Sequence, residues 1–235
     1  MDFNSQQYYQ SASLETESLG RYTAKTFGWM FAGLLTTFII SIATYISGAF
    51  MLVFTIPYAY LILAGLELAV VVYLSARIEK LSVGGARSLF FAYAVLNGIV
   101  FSSLFLVYQV TVLIWVFAAT SLFFGIMAVL GYTTNADFSR LRPFMTAGLI
   151  FLVVFWLLAM FIDLGQFETI MCTFGIFLFL VFTAYDTQKI RAYHAYYSGR
   201  ADMAAKASIF SALQLYLDFI NLFLYLLRFL GKKNN

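Results

Sequence analysis

Asp186 and Asp218 stand 32 residues apart in a chain with few other ionisable groups inside its apolar runs. A charged side chain at the centre of a membrane helix costs roughly 2.5–3.5 kcal/mol to insert. Each aspartate must therefore face protein, water or an ion. Glu67 belongs to the same small set, and Asp163 lies at the end of another apolar run. Asp218 is also the centre of a longer pattern. Ser208, Ser211, Gln214, Asp218, Asn221, Tyr225 and Arg228 follow at steps of 3, 3, 4, 3, 4 and 3. On a helix these steps make one continuous polar stripe.

An antiparallel helical hairpin with its turn near residue 202 would set Asp186 and Asp218 level. The turn signals fall there: Gly199 suits a helix C-terminus and Asp202 the N-cap of the next helix. Two carboxylates held together in low dielectric cannot both ionise cheaply, so they share a proton. Such a pair reads pH. With both protons off it is a cation ligand or a latch to a nearby base. The alternative is two unrelated capping or interface carboxylates. Arg77 is most simply a topology charge, and is also the base placed to reach Asp186. Glu67 reads equally as an interhelical hydrogen-bonding residue or as a cavity lining. Together these residues predict a polar interior shared by runs two, six and seven.

The positioning elements follow from composition. The chain has 235 residues, of which 63% are hydrophobic, 20% aromatic and 11% charged. Soluble domains carry about 25% charged residues. With a mean hydropathy of +0.87, the chain reads as an all-α polytopic membrane protein. Seven apolar runs lie near 27–49, 52–76, 88–108, 112–131, 144–163, 167–187 and 207–230. Each is close to the roughly 20 residues that cross a bilayer as a helix. Residues 1–20 are polar, lack the features of a signal peptide, and read as a short mobile tail before a single domain over 21–235.

Eleven of the fourteen Lys and Arg residues fall before run one or after runs two, four and six. The positive-inside rule makes that side, and the N-terminus, cytoplasmic. Arg228, Lys232 and Lys233 then fall outside if run seven crosses, or inside if it is re-entrant. The pair Lys232-Lys233 matches a dilysine retrieval pattern by chance, because that signal needs a cytoplasmic tail.

One histidine (His194) and one cysteine (Cys172) leave no room for a Ser/His/Asp or Cys/His site, a metal cage or a disulfide. There is no phosphate-binding glycine loop and no basic patch dense enough for nucleic acid. His194 reads as solvated, and Gly84, Gly85 and Gly131 as turn residues. No enzyme activity and no tightly bound cofactor are expected.

Two segments are similar to the paired signatures of the Bax-inhibitor-1 (transmembrane Bax inhibitor motif) family: Thr183-Ala184-Tyr185-Asp186-Thr187-Gln188-Lys189 and Leu215-Tyr216-Leu217-Asp218-Phe219-Ile220-Asn221-Leu222-Phe223. Phe27-Gly28-Trp29-Met30, the segment from Leu74 to Ser82, and Gly131-Tyr132-Thr133-Thr134 resemble its bacterial inner-membrane, YccA-like branch. The resemblance covers the chain from about Arg21. It implies seven transmembrane helices, the last surrounded by the other six. It implies a pH-sensitive calcium leak gated by a di-aspartyl pair, which carries over onto Asp186 and Asp218 as pH sensor and candidate calcium ligands. The family's helix-two acid matches Glu67, and its latch arginine falls at or near Arg77. Gln214 and Asn221 would line the pathway. The implied location is the bacterial cytoplasmic membrane, and the implied partner of some members is the membrane protease FtsH.

Three functions compete at this point. The first is a pH-gated cation channel. The second is a non-transporting adaptor that modulates a membrane protease. The third is an aspartyl intramembrane protease, which Tyr185-Asp186 resembles. Against it, Leu217 precedes Asp218 where that fold has a Gly-x-Gly, and neither Pro57 nor Pro143 sits in a Pro-Ala-Leu motif.

Overall fold

The computed structural model describes residues 17–231. The expected tail up to residue 16, and Lys232 and Lys233, lie outside the described residues. Helix α1 runs Leu19–Ile46 and starts inside the expected tail, because Ser18 caps it by accepting a hydrogen bond from the Arg21 amide at 3.4 Å.

Run two is two helices, α2 (Phe50–Thr55) and α3 (Ala59–Arg77). Pro57 explains the break. It has no N–H to donate and pushes Ile56 into an extended conformation (φ −87°, ψ 119°). Tyr58 then turns the chain with φ +60°, the one positive φ outside glycine among the described residues. The other helices are α4 (Val83–Phe101), α5 (Leu104–Val107), α6 (Val110–Thr133), α7 (Arg142–Leu158), α8 (Glu168–Tyr196) and α9 (Ala201–Leu230). Pro143 sits in the first turn of α7, where a missing N–H is harmless.

Helix α8 continues nine residues beyond the expected end of run six, so Asp186, Gln188, Lys189, Arg191 and His194 share one rigid element. The α8–α9 turn falls where expected, with Gly199 at φ +83°. Asp202 does not cap α9. Arg200 holds the N-cap position, and Asp202 lies in the first turn, paired with Lys206 at 3.0 Å.

Six helical segments among the described residues are long and apolar enough to cross a membrane: 19–46, 83–107, 110–133, 138–158, 165–196 and 201–230. This is an all-helical, multi-pass membrane architecture. Its outward faces are apolar, with Phe38, Trp115, Phe144 and Phe177 exposed. Helix α9 differs from the rest: 72% of its apolar window is buried, against at most 33% in any other of the six. It packs against α8, α1, α6 and α4.

Gly131 is not a turn residue but lies within α6, directly against the backbone of Ala184 on α8, where a Cβ would not fit. That contact sets α6 against α8 two residues before Asp186. Gly84 and Gly85 lie in the first turn of α4, capped by Ser82, which accepts from the Gly85 amide at 3.0 Å.

Candidate functional site

Asp186 on α8 and Asp218 on α9 are 5% and 4% exposed, and their charges repel across the interface of the two helices. The hairpin thus brings them together. Lys189, one turn along α8, lies 3.5 Å from Asp186 Oδ1 and donates to Gln214 Oε1 on α9 at 3.2 Å. Its ammonium also lies over the Tyr185 and Tyr193 rings, 5.3 and 5.4 Å from their centroids. Asp218 Oδ2 is buried with no hydrogen-bond partner among the described residues. One ammonium therefore serves two buried carboxylates. This arrangement favours a shared proton, or a cation that takes the proton's place.

Arg77 does not fill the latch role. It is exposed at the end of α3 and pairs with no carboxylate among the described residues. The base at Asp186 is Lys189, which sequence reasoning counted only as a topology charge. The signal was its i+3 spacing from Asp186 on one helix face.

Glu67 is also apart from the aspartates. It lies half-buried on α3 with its charge felt by Tyr93 and Tyr216, and its Oε1 has no hydrogen-bond partner among the described residues. Tyr216 is two residues from Asp218, so it points to nearly the opposite side of α9. The single interior expected for runs two, six and seven is two separate polar places.

The stripe on α9 divides similarly. Thr26 on α1 spends its proton on the Tyr22 carbonyl at 3.0 Å, so the Ser208 hydroxyl donates to it at 2.9 Å. Ser211 is buried with no hydrogen-bond partner among the described residues. Gln214 and Asp218 face α8. Asn221 donates to the Leu217 carbonyl of its own helix at 2.8 Å and lines a side groove with Trp156 and Tyr225. Arg228 lies over the Trp156 ring, 4.2 Å from its centroid.

Residues beside the aspartate pair anchor the surrounding chain. Gln188 donates to the Ala136 carbonyl at 2.7 Å and accepts from the Phe138 amide at 3.1 Å, and Arg191 donates to the Thr134 carbonyl at 3.1 Å. The α6–α7 connection is thus pinned to α8. His194 is half-buried rather than freely solvated. Its Nε2 lies 2.6 Å from the Glu17 carbonyl, and its ring packs on buried Tyr22 at 5.2 Å. Lys206, 3% exposed, donates to the Glu79 carbonyl at 3.1 Å as well as pairing with Asp202.

Among the described residues, no three His, Cys, Asp or Glu side chains gather as a metal cage. The aspartate pair with Gln214 Oε1 offers oxygen ligands of the kind calcium takes, but fewer than the six to eight it holds when tightly bound.

A family model described as "Inhibitor of apoptosis-promoting Bax1" matches residues 19–235. The chain is 38% identical over 217 residues to the inner membrane protein YbhL of Escherichia coli K12, covering 92% of this chain and 93% of that protein. It is 36% identical over 224 residues to an uncharacterized protein of Deinococcus radiodurans, covering 94% and 95% of the two chains. It is 31% identical over 216 residues to an uncharacterized protein of Borreliella burgdorferi, covering 92% and 93%. Helical architecture, signature segments and full-length similarity agree: the chain belongs to the Bax inhibitor-1 family.

Proposed function

We propose that the protein is a pH-sensitive cation leak pathway of the bacterial inner membrane, with calcium as the candidate permeant ion and Asp186 and Asp218 as its gate. The observation that carries this reading is the buried carboxylate pair with Lys189 as its one close base among the described residues. In this reading α3 is the seventh crossing helix and α9 is the central one. Burying a carboxylate against another carboxylate in a membrane helix is costly, and an intramembrane ionisable residue reads by default as a functional site.

At neutral pH the Asp186–Lys189–Gln214 contacts tie α8 to α9 and bias the closed state. Protonation of the pair releases Lys189 and shifts the population toward an open state. A one-proton gate can change the equilibrium by at most tenfold, about 1.4 kcal/mol, per pH unit. A modulated leak is within that range, whereas an all-or-none switch needs about 5.5 kcal/mol.

The test is calcium flux into proteoliposomes across a pH series, with Asp186→Asn and Asp218→Asn beside the parent. Each variant is expected to lose the pH response. Unchanged flux and pH response in both would refute the gate. A parent that moves no cation at any pH would refute the channel itself.

A further inference from the structure

A groove of about 330 Å³ opens between α7, α8 and α9, one side turned toward the bilayer. Buried Leu152 lines its inner part, and the exposed side chains of Val153 and Leu157 form its rim. From Leu149 to Leu157 the wall rises about 12 Å, nearly half of the roughly 30 Å hydrocarbon thickness. The volume equals about eleven water-sized groups, so the groove suits one acyl chain within one leaflet.

The polar end of the groove is specifically built. Gly175 lets the Tyr225 ring press against the α8 backbone, where a Cβ would come within 2.7 Å of the ring. Tyr225 Oη accepts from Trp156 Nε1 at 3.1 Å, so its own proton is free to donate. Trp156 also supports Arg228, whose guanidinium lies 4.2 Å over the indole. Arg228 is exposed, three residues along α9 from Tyr225, and pairs with no carboxylate among the described residues. Helix α9, with 30 residues, is about 45 Å long, so its last turn reaches headgroup depth. One turn separates a cation from a hydroxyl donor, as the phosphate of a glycerophospholipid stands apart from its acyl esters.

We infer that this groove is a binding site for one anionic phospholipid, with an acyl chain along α7, an ester carbonyl at Tyr225 and the phosphate on Arg228. The groove lining includes neither Asp186 nor Asp218, and the inference does not require that ions cross the protein. A guanidinium with no carboxylate partner among the described residues selects for net negative charge, since a choline headgroup carries its own compensating cation.

Trp156 itself reports on the site. In a full-length Trp29→Phe/Trp115→Phe variant it is the remaining tryptophan of three. The protein is reconstituted in phosphatidylcholine with a minor fraction of either acyl-brominated phosphatidylglycerol or acyl-brominated phosphatidylcholine. Brominated phosphatidylglycerol is expected to quench Trp156 several-fold more than the choline lipid at the same mole fraction. Arg228→Gln, at an exposed position, should equalise the two, Arg228→Lys should keep part of the difference, and Val153→Phe at the rim should lower quenching by both. Equal quenching by both lipids in the parent would overturn the proposal, because bulk chains then fill the groove unselectively. So would absent quenching, with a second copy or another protein covering it, and so would selectivity that survives Arg228→Gln.

Discussion

Lys189 and Asp186 pair at 3.5 Å one turn apart on α8, and the same ammonium reaches α9 through Gln214. A single side chain therefore neutralises charge within one helix and fastens it to the next.

Replacing Lys189 with Met removes both functions at once. Lys189→Met is expected to destabilise the fold, though by less than the roughly 3–5 kcal/mol of a fully buried broken pair, since the lysine side chain is 23% exposed. Calcium flux at neutral pH should rise to the parent's acidic level. Thermal unfolding and the proteoliposome assay check the two parts separately. Parent-like flux at neutral pH would remove Lys189 from the latch.

Gly131 tests the packing that places Asp186. A Cβ there meets the Ala184 backbone, which cannot swing aside. Gly131→Ala should destabilise by about 1–3 kcal/mol through overpacking. Gly125→Ala, on the same helix with open space at its Cβ, should be neutral or stabilising by up to about 1 kcal/mol. Paired thermal melts in one detergent give the comparison, and equal melting temperatures for the two variants would contradict the contact.

Thr37 closes a buried relay. It donates to the Ala94 carbonyl at 2.9 Å, so Tyr216 donates to Thr37 at 2.6 Å. Thr37→Val leaves the Tyr216 hydroxyl without its acceptor inside the protein, an expected loss of about 1–3 kcal/mol, while the Ala94 carbonyl, interior to α4, keeps the amide of its own helix. Thr37→Ser keeps the hydroxyl and should recover most of it. Tyr216→Phe combined with Thr37→Val should be less than additive, because the two residues share one interaction.

A separate pH effect belongs to the α6–α7 connection. Asp137 accepts from the Ser139 amide at 3.0 Å, and hydrogen bonds from Ser139 hold its carboxyl below the usual carboxylate range, with Arg140 adding to the effect. A carboxyl lowered in the folded state contributes above its unfolded value, and that contribution is lost as pH falls through the folded one. The Ser139 amide resonance should therefore stay constant through neutral pH and move only under acid. Asp137→Asn should abolish that movement. Because Asp137 is exposed, cation flux near neutrality should not change in this variant.

Much of this arrangement was readable in the residues. Run lengths gave six of the long helices, with about half of their ends within a turn. The 32-residue spacing with Gly199 set the two aspartates together. The helix break at Pro57 does not show in the apolar length of run two, because a proline's missing N–H acts locally. Arg77 drew attention as a base at a helix end, but which way a helix end points depends on neighbouring helices. Glu67 failed to join the aspartates for a similar reason. Its place depends on the rotation of α3 against α4, which a nearly all-apolar helix does not encode in its pattern. Gly131 reads as a turn residue in the sequence because sequence alone does not distinguish a glycine that bends the chain from one that admits a neighbour.

The bonds from Gln188 and Arg191 to residues 134–138 make α8 a lever. A turn of α8 that separates Asp186 from Asp218 must pull that connection, and with it the near end of α7. The far end of α7 carries Trp156 and the wall of the lipid groove. Linkage is reciprocal: whatever factor the acidic shift applies to lipid affinity, the bound lipid returns to proton affinity. Under the proposed gate, membrane composition would then shift the acidity at which the aspartate pair takes up its proton.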